Sequence, residues 1–212
     1  MTCPVVARGV KLRGLCEGCG GAPLGERVLQ RAGVLFRQGD PARHIFALTE
    51  GWLRVYVSTA EGRSCAARLV GPGNVLGLEA FGAGSPGYVA TCDAVRRARV
   101  CAVPIGQART WFQSHPEEAL ALTAISAADL AELQRRLVHN ASLSAEERVL
   151  ELVKDLVGQA PRGTWTELPA TREQLGEVLG LTFETVSRML HRLAARGILE
   201  IEGRRVRLSS QL

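Results

Sequence analysis

The spacing of hydrophobic positions along the chain changes near residue 114. Between residues 30 and 105, short runs of Val, Ile, Leu, Phe, Tyr and Trp, such as WLRVYVS, alternate with turns such as those at Gly39 to Pro41 and Gly71 to Gly73. Strand-length runs between such turns, at about ten-residue spacing, are typical of an antiparallel sandwich or barrel. The pattern therefore predicts an N-terminal β domain.

Helical periodicity replaces this pattern after residue 114. Ser114 to Pro116 is a helix start signal, and Glu117 and Glu118 follow in the first turn, where the helix dipole favours acidic side chains. The next stretch lacks Gly and Pro and carries an apolar or small stripe at Leu120, Ala124, Ala127, Leu130, Leu133 or Gln134, and Leu137. Such a long helix either pairs with a copy of itself or lies along its own β domain.

The C-terminal segment predicts a helix-turn-helix followed by a hairpin. Ser144 and Glu147 form a capping box for one helix, and Gly158 to Trp165 is a loop. Two further helices flank a tight turn at Gly180, and two short strands surround Gly203. This order is that of a winged helix-turn-helix, whose second helix enters a major groove.

These patterns give an α+β fold class: an N-terminal antiparallel β domain of the sandwich or barrel type, a long helix and a C-terminal winged helix-turn-helix. The predicted divisions are a Cys-containing arm (1–26), the β domain (27–113), the long helix (114–141) and the winged helix-turn-helix domain (142–212). The 212 residues suffice for two domains. Lacking a signal-peptide core and any apolar run of about 18 residues, the chain is expected to be cytoplasmic.

The second helix of the predicted pair presents a polar face. Glu184, Ser187 and Arg188 stand at positions i, i+3 and i+4, which brings them to one side. Arg can bind guanine O6 and N7 bidentately, Glu can accept from cytosine N4, and Ser suits several partners. We expect base contacts from these three residues, and phosphate contacts from Thr171, Thr182, Thr185 and Arg192.

Charge supports this assignment only locally. The net charge is +5, but from residue 185 onward six Arg stand against two Glu. A basic end of the chain suits a nucleic acid, although a solvated surface face would give the same count.

Two motifs resemble those of the CRP/FNR family of bacterial transcription regulators. FRQGDPARHIFALTEGWLRVY is similar to the family's β-roll signature, and LGLTFETVSRMLHRLAARGIL is similar to its recognition helix. The resemblance runs from about residue 27 to the C-terminus. It implies that residues 27–113 are an antiparallel β-roll sensor domain like a cupin jelly roll, that residues 114–141 are a dimerisation helix, and that residues 142–212 are the DNA-binding domain. It implies a homodimer joined by the long helix that binds an inverted repeat of double-stranded DNA and contacts RNA polymerase. Glu184, Ser187 and Arg188, preceded by Phe183 rather than Arg, resemble the FNR branch, which implies a TTGAT-type half-site.

The resemblance also bears on the effector. A cyclic-nucleotide-binding member needs a carboxylate and an Arg-Ser pair, and Glu79 is available, but the following segment FGAGSPGYVATCDAV contains no Arg. A cyclic phosphate buried there would lack a cation, so we expect no cyclic nucleotide and no response to cAMP.

Six Cys in a cytoplasmic chain indicate metal or redox chemistry rather than structural disulfides. The FNR branch holds a cluster with an N-terminal Cys group and a distant Cys in a strand similar to VCAVP. The resemblance therefore implies a [4Fe-4S] cluster held by Cys3, Cys16, Cys19 and Cys101. This chain departs from that pattern because no third Cys follows the C-x-x-C, so Cys3 would replace it.

Other roles for these residues remain open. Cys16 and Cys19 could form a reversible disulfide or half a zinc site, and Cys65, Cys92 and Cys101 suit buried apolar strands. Haem or nitric oxide sensing would need a ligand, for which the candidates are His44, His115 and His139. A regulator without an effector is a further alternative. A cupin-type metal enzyme is a remote one, since the four His are scattered and no paired acids stand in the strands.

Overall fold

A computed structural model describes residues 25–59, 64–82, 87–157, 160–161 and 163–209, together with the backbone of two short strands, β1 (Val6–Ala7) and β2 (Val10–Lys11). For residues 64–67 the backbone alone is described. The chain divides into two compact units, and the division along the sequence falls between Ala131 and Glu132.

The first unit contains two four-stranded antiparallel sheets. Their strand orders are β3-β10-β5-β8 and β4-β9-β6-β7. The strands are β3 (Gly25–Leu29), β4 (Val34–Phe36), β5 (His44–Glu50), β6 (Leu53–Ser58), β7 (Ser64–Val70), β8 (Val75–Leu76), β9 (Thr91–Ala94) and β10 (Ala98–Pro104). A 3-10 helix covers Leu78–Phe81. The predicted N-terminal antiparallel β-roll is confirmed.

Aromatic rings fill part of the interior of the β-roll. Phe36 stacks on Tyr88 with ring centroids 4.1 Å apart, and Phe46 lies 5.6 Å from Phe36. The Tyr88 hydroxyl donates to the backbone carbonyl of His44 at 2.9 Å, so the buried phenol keeps a hydrogen-bond partner. This cluster fixes the ends of the two sheets against each other.

Two helices follow β10: α1 (Ile105–Ser114) and the long helix α2 (Pro116–Ser142). The hydrophobic pattern did not predict α1, because Pro104 and Gly106 at its start are turn residues. On α2, Leu122 and Ile125 are buried against the β-roll in one cluster with Ile45 and Cys101. In contrast, Leu120, Leu130 and Leu137 are 72%, 58% and 70% exposed. The N-terminal part of α2 thus packs on the β-roll, and the residues of the predicted stripe are left exposed.

The second unit begins with the last residues of α2 and then contains the predicted winged helix-turn-helix. Its elements are α3 (Ala145–Val157), β11 (Thr166–Glu167), α4 (Arg172–Leu179), α5 (Phe183–Ala195), β12 (Leu199–Glu202) and β13 (Arg205–Leu208), with sheet order β11-β13-β12. The predicted capping box is present, since the Ser144 backbone amide donates to Glu147 Oε2 at 2.8 Å. None of the helices in the described ranges is long and apolar enough to cross a membrane.

A close backbone approach defines the corner between α4 and α5. Gly180 ends α4 with φ 64°, and the Leu181 amide donates to the Gly176 carbonyl at 2.9 Å. A Cβ on Gly176 would lie 2.4 Å from the Leu181 carbonyl oxygen. Because that oxygen belongs to the backbone, only glycine fits at residue 176 without a shift of the corner.

We expect Gly176→Ala to lower the free energy of unfolding by about 1–3 kcal/mol, the usual cost of overpacking, and to weaken specific DNA binding. Thermal unfolding and binding to an operator would measure both effects. Gly106→Ala in α1 is a suitable comparison, because its Cβ would meet nothing within 4 Å and Gly106, like Gly176, is not a positive-φ glycine. Equal stability of Gly176→Ala and the parent would contradict the proposed close approach.

Candidate nucleic-acid interface

Helix α5 separates a buried side from an exposed side. Val186, Met189, Leu190 and Leu193 are each at most 5% exposed and form the inner side. Glu184 and Arg188 are exposed on the opposite side, and Ser187 is partly exposed next to them. The structure therefore brings the three predicted base-contacting residues to one face, as the helical spacing requires.

The two charged residues of this face differ in their local partners. The pKa of Glu184 is lowered because its carboxylate accepts from its own backbone amide and from the Thr182 hydroxyl. It remains ionised at neutral pH and can act only as an acceptor. Arg188 makes no ion pair or hydrogen bond through its side chain within the part of the chain that the structure describes. Its guanidinium is available for an outside acceptor.

Ser187 is held by a residue from the preceding helix. Arg172, the first residue of α4, donates from Nη1 to Ser187 Oγ at 2.8 Å. The sequence pattern did not identify Arg172, because Arg172 lies 15 residues before Ser187. The two side chains come together only because the corner between α4 and α5 brings the helices close.

The predicted phosphate contacts are at helix ends. Thr171 and Thr182 are the N-caps of α4 and α5, and their hydroxyls accept from the amides of Gln174 and Thr185. The Thr185 hydroxyl lies 3.2 Å from that of Thr182. Both caps mark the N-termini of helices, which are favourable places for an anion. The phosphate contacts themselves stay predictions.

Most of the arginines counted in the C-terminal segment have acidic partners. Arg192 lies 3.7 Å from Glu146, which also pairs with Arg196. In the wing, the pairs are Arg204–Glu167 at 3.8 Å, Arg205–Glu202 at 3.8 Å and Arg207–Glu200 at 2.5 Å. Glu146 and Glu167 come from outside the segment whose charges were counted. The positive charge available for a phosphate backbone is therefore smaller than the sequence count suggests.

Two more residues of α5 stand on or beside the polar face and were not among the predicted contacts. His191 is exposed one turn after Ser187, and its Nδ1 lies 2.7 Å from the Ser187 carbonyl oxygen. Phe183, the first residue of α5, is 51% exposed. The i+4 spacing of His191 from Ser187, and of Ser187 from Phe183, is a signal that would have found both.

The candidate cluster ligands are only partly within the described residues. Cys3, Cys16 and Cys19 lie outside them. Cys101 is 7% exposed on β10, where it pairs with Glu26 of β3, and it packs in the cluster that contains Leu122 and Ile125 of α2. In the described part of the chain, no group of three or more His, Cys, Asp or Glu is arranged to hold a metal ion.

The other candidate sensor residues are dispersed. Cys92 is fully buried on β9, and burial raises the pKa of its thiol, which makes it a poor nucleophile. The side chain of Cys65 lies outside the described residues. His115 stacks on Trp111, and His139 Nδ1 lies 3.2 Å from Arg135 Nη1. The pKa of His44 is lowered by burial and by nearby Arg27 and Arg43.

Glu79, the carboxylate considered for a cyclic nucleotide, lies in the 3-10 helix, and its Oε1 accepts from the Val89 amide at 3.4 Å. Residues 83–86 of the segment that would carry the Arg-Ser pair lie outside the described residues. The expectation that the chain does not bind a cyclic nucleotide therefore stays a prediction.

Two family models match this chain. The model "Cyclic nucleotide-binding domain" matches residues 26–115, and the model "Crp-like helix-turn-helix domain" matches residues 147–210. The first describes the β-roll and α1, and the second covers almost all of the winged helix-turn-helix.

Individual relatives agree with these models. The chain is 30% identical over 186 residues to the transcriptional activator protein FnrA of Stutzerimonas stutzeri, covering 86% of this chain and 75% of that protein. It is 25% identical to the anaerobic regulatory protein of Pasteurella multocida, covering 88% and 69%. Among solved structures, FixK2 from Bradyrhizobium japonicum superposes with a TM-score of 0.79 at 25% identity, covering 87% and 91%. The first two are regulators, and the cupin-type enzyme alternative is therefore wrong.

Proposed function

Because the chain belongs to the CRP/FNR family of transcription regulators, we propose that it acts as a homodimer that reads an inverted repeat of TTGAT-type half-sites. The observation that carries this proposal is the exposed Arg188, which has no side-chain partner in the described structure, whereas Arg192 of α5 and Arg196 directly after α5 both pair with Glu146. An exposed guanidinium without a partner suits the N7 and O6 acceptors of guanine.

The other two residues of the face complete the proposed contacts. Glu184 is an ionised acceptor suited to the N4 amine of cytosine, and Ser187 presents a hydroxyl next to it. Thr171, Thr182, Thr185 and Arg192 would set the register through phosphates. Arg192 would have to leave Glu146 or share its guanidinium with that carboxylate.

Dimerisation through α2 is supported by the exposure of its leucines. Leu120, Leu130 and Leu137 recur along one helix and are each more than half exposed. A second copy of the same helix offers a complementary stripe, as in a coiled coil. Two subunits would then present two recognition helices to half-sites about 34 Å apart. RNA polymerase is the further partner that the family resemblance implies.

For the signal, we propose an oxygen- or redox-responsive [4Fe-4S] cluster held by Cys3, Cys16, Cys19 and Cys101. The name of the Pasteurella multocida relative, an anaerobic regulatory protein, agrees with this class of signal. Cys101 fits the role of a ligand, since it pairs with Glu26 and only six residues separate Glu26 from Cys19. That segment reaches at most about 24 Å at the extended length per residue.

The surroundings of Cys101 support a path from such a cluster to dimerisation. Its side chain packs in the cluster that contains Leu122 and Ile125 on the inner face of α2. A thiolate with bound iron would replace a small buried thiol there, and the cluster would supply the sensitivity to oxygen. The packing of α2 on the β-roll would then differ between the two states, and so would the pairing of the two helices.

The first test concerns Arg188. We expect Arg188→Ala to lose about 1–3 kcal/mol of binding at one base pair of each half-site, because a bidentate guanine contact disappears. Arg188→Lys keeps the positive charge but lacks the paired N–H donors of a guanidinium. It is therefore expected to lose most of the discrimination at that base pair as well. The affinity of each variant for operators with single base-pair changes measures this loss of discrimination. An equal loss on every sequence would assign Arg188 to the phosphates instead.

The second test concerns the dimer. We expect the double variant Leu130→Glu and Leu137→Glu to sediment as a monomer, because four added charges would meet at the paired helices. Val57→Glu, at a 39% exposed apolar residue of β6, serves as the control and is expected to leave the dimer intact. A Leu130→Glu, Leu137→Glu protein that sediments as the parent does would exclude this stripe as the interface.

The third test concerns the cluster. Purification without oxygen is expected to give iron and sulfide in equal numbers and a visible absorption band that bleaches in air. Cys101→Ser is expected to lower the iron content, whereas Cys92→Ser, at another buried cysteine of the same β-roll, is expected to keep it. A colourless, iron-free parent that still binds the inverted repeat would favour a thiol switch or a regulator without an effector.

A further inference from the structure

Arg172 and Ser187 form a hydrogen bond across the corner of the helix-turn-helix. The Nη1 atom of Arg172 donates to Ser187 Oγ at 2.8 Å. Arg172 lies in the first turn of α4, directly after the N-cap Thr171, and both side chains are partly buried. This bond joins a residue on the base-contacting face of α5 to a helix that contributes no predicted base contact.

The Ser187 hydroxyl also differs from the other helical hydroxyls of the chain. Five of them, on α1 and α2, donate to the backbone carbonyl four residues earlier. They are Thr110, Ser114, Thr123, Ser126 and Ser142. Among the described residues, Ser187 has no such bond to the Phe183 carbonyl. Its hydroxyl hydrogen is therefore not used within the helix.

The guanidinium decides which hydrogen bonds remain for Ser187. A hydroxyl has one hydrogen and two lone pairs, whereas a guanidinium can only donate. Arg172 occupies one lone pair, and its positive charge disfavours the approach of a second donor to the same oxygen. The hydrogen is left to point away from Arg172, so Ser187 offers the outside a donor rather than an acceptor.

We propose that Arg172 is a positioning residue that fixes the Ser187 hydroxyl as a hydrogen-bond donor and thereby sets the base preference at one position of each half-site. In the major groove, guanine N7 and O6, adenine N7 and thymine O4 accept, while the amines of cytosine and adenine donate. Ser187 is then expected to favour a base that presents an acceptor and to disfavour the cytosine amine. The inference rests on the proposed reading of DNA by α5.

The test is a double-mutant cycle with Arg172→Met, Ser187→Ala and the two together. Binding is measured for the full-length protein on a set of operators in which each base pair of the half-site is changed in turn. We expect Ser187→Ala to lower discrimination at one base pair by about 3- to 10-fold, the range of a single hydrogen bond. Arg172→Met is expected to lower it at that same base pair, and the double variant is expected to add little more.

Arg172→Lys is the matched control, because it keeps the positive charge and a donor. It is expected to retain more discrimination at that base pair than Arg172→Met. A loss that is equal on all sequences would assign Arg172 to a phosphate, or to folding, and would overturn the inference. So would independent effects of Arg172→Met and Ser187→Ala at different base pairs.

The failure of the proposed function gives a different result. If the parent itself shows no preference among these operators, the reading of DNA by α5 is wrong and the inference falls with it. If the parent prefers the inverted repeat but Arg172→Met keeps the preference at every base pair, only the positioning role of Arg172 is overturned.

Discussion

The contact between the backbone at Gly176 and the backbone at Leu181 is the constraint on which the candidate interface depends. With no Cβ at residue 176, the Leu181 carbonyl lies against α4, and its amide bonds to the Gly176 carbonyl. That approach fixes where α5 begins relative to α4. It therefore also fixes the distance between the first residue of α4, Arg172, and Ser187 on α5. A wider corner would separate these two side chains even if both helices stayed intact.

The long helix α2 has one set of hydrophobic residues that packs on the β-roll and another set that is exposed. Leu122 and Ile125 pack on the β-roll, while Leu120 and Leu130 stay exposed. The sequence left two arrangements open for this helix, a lone helix on its β domain and a pair of helices. The structure shows that the first does not exclude the second, since the residues that contact the β-roll are not those of the predicted stripe.

Much of the fold could be predicted because it depends on local signals. The turns between short strands indicated the β-roll, the capping pair Ser144 and Glu147 marked the start of α3, and the 3.6-residue period separated Arg188 from the buried Leu190 and Leu193. Helix α1 was missed because its first residues are turn formers. Contacts between distant positions could not be predicted, since they depend on how the elements pack.

The arginines of the candidate nucleic-acid interface also have contacts with distant positions that the sequence could not predict. A count along the chain gave a strongly basic C-terminal segment, but the carboxylates of Glu146 and Glu167 lie outside it and approach Arg196 and Arg204 in space. The bond from Arg172 to Ser187 likewise crosses 15 residues of sequence. The proposed ligands Cys3, Cys16 and Cys19 lie outside the described residues, so that part of the sequence hypothesis rests on the resemblance to the FNR branch.

The pairing of these arginines has a consequence for the search for an operator. A cation that already binds a carboxylate has less to gain from a phosphate, so few counterions are released when such a surface meets random DNA. Attraction to the backbone would then be modest, and its dependence on ionic strength shallow. The protein would leave random sequence quickly, and most of its residence on a genome would come from the few base edges that α5 recognises.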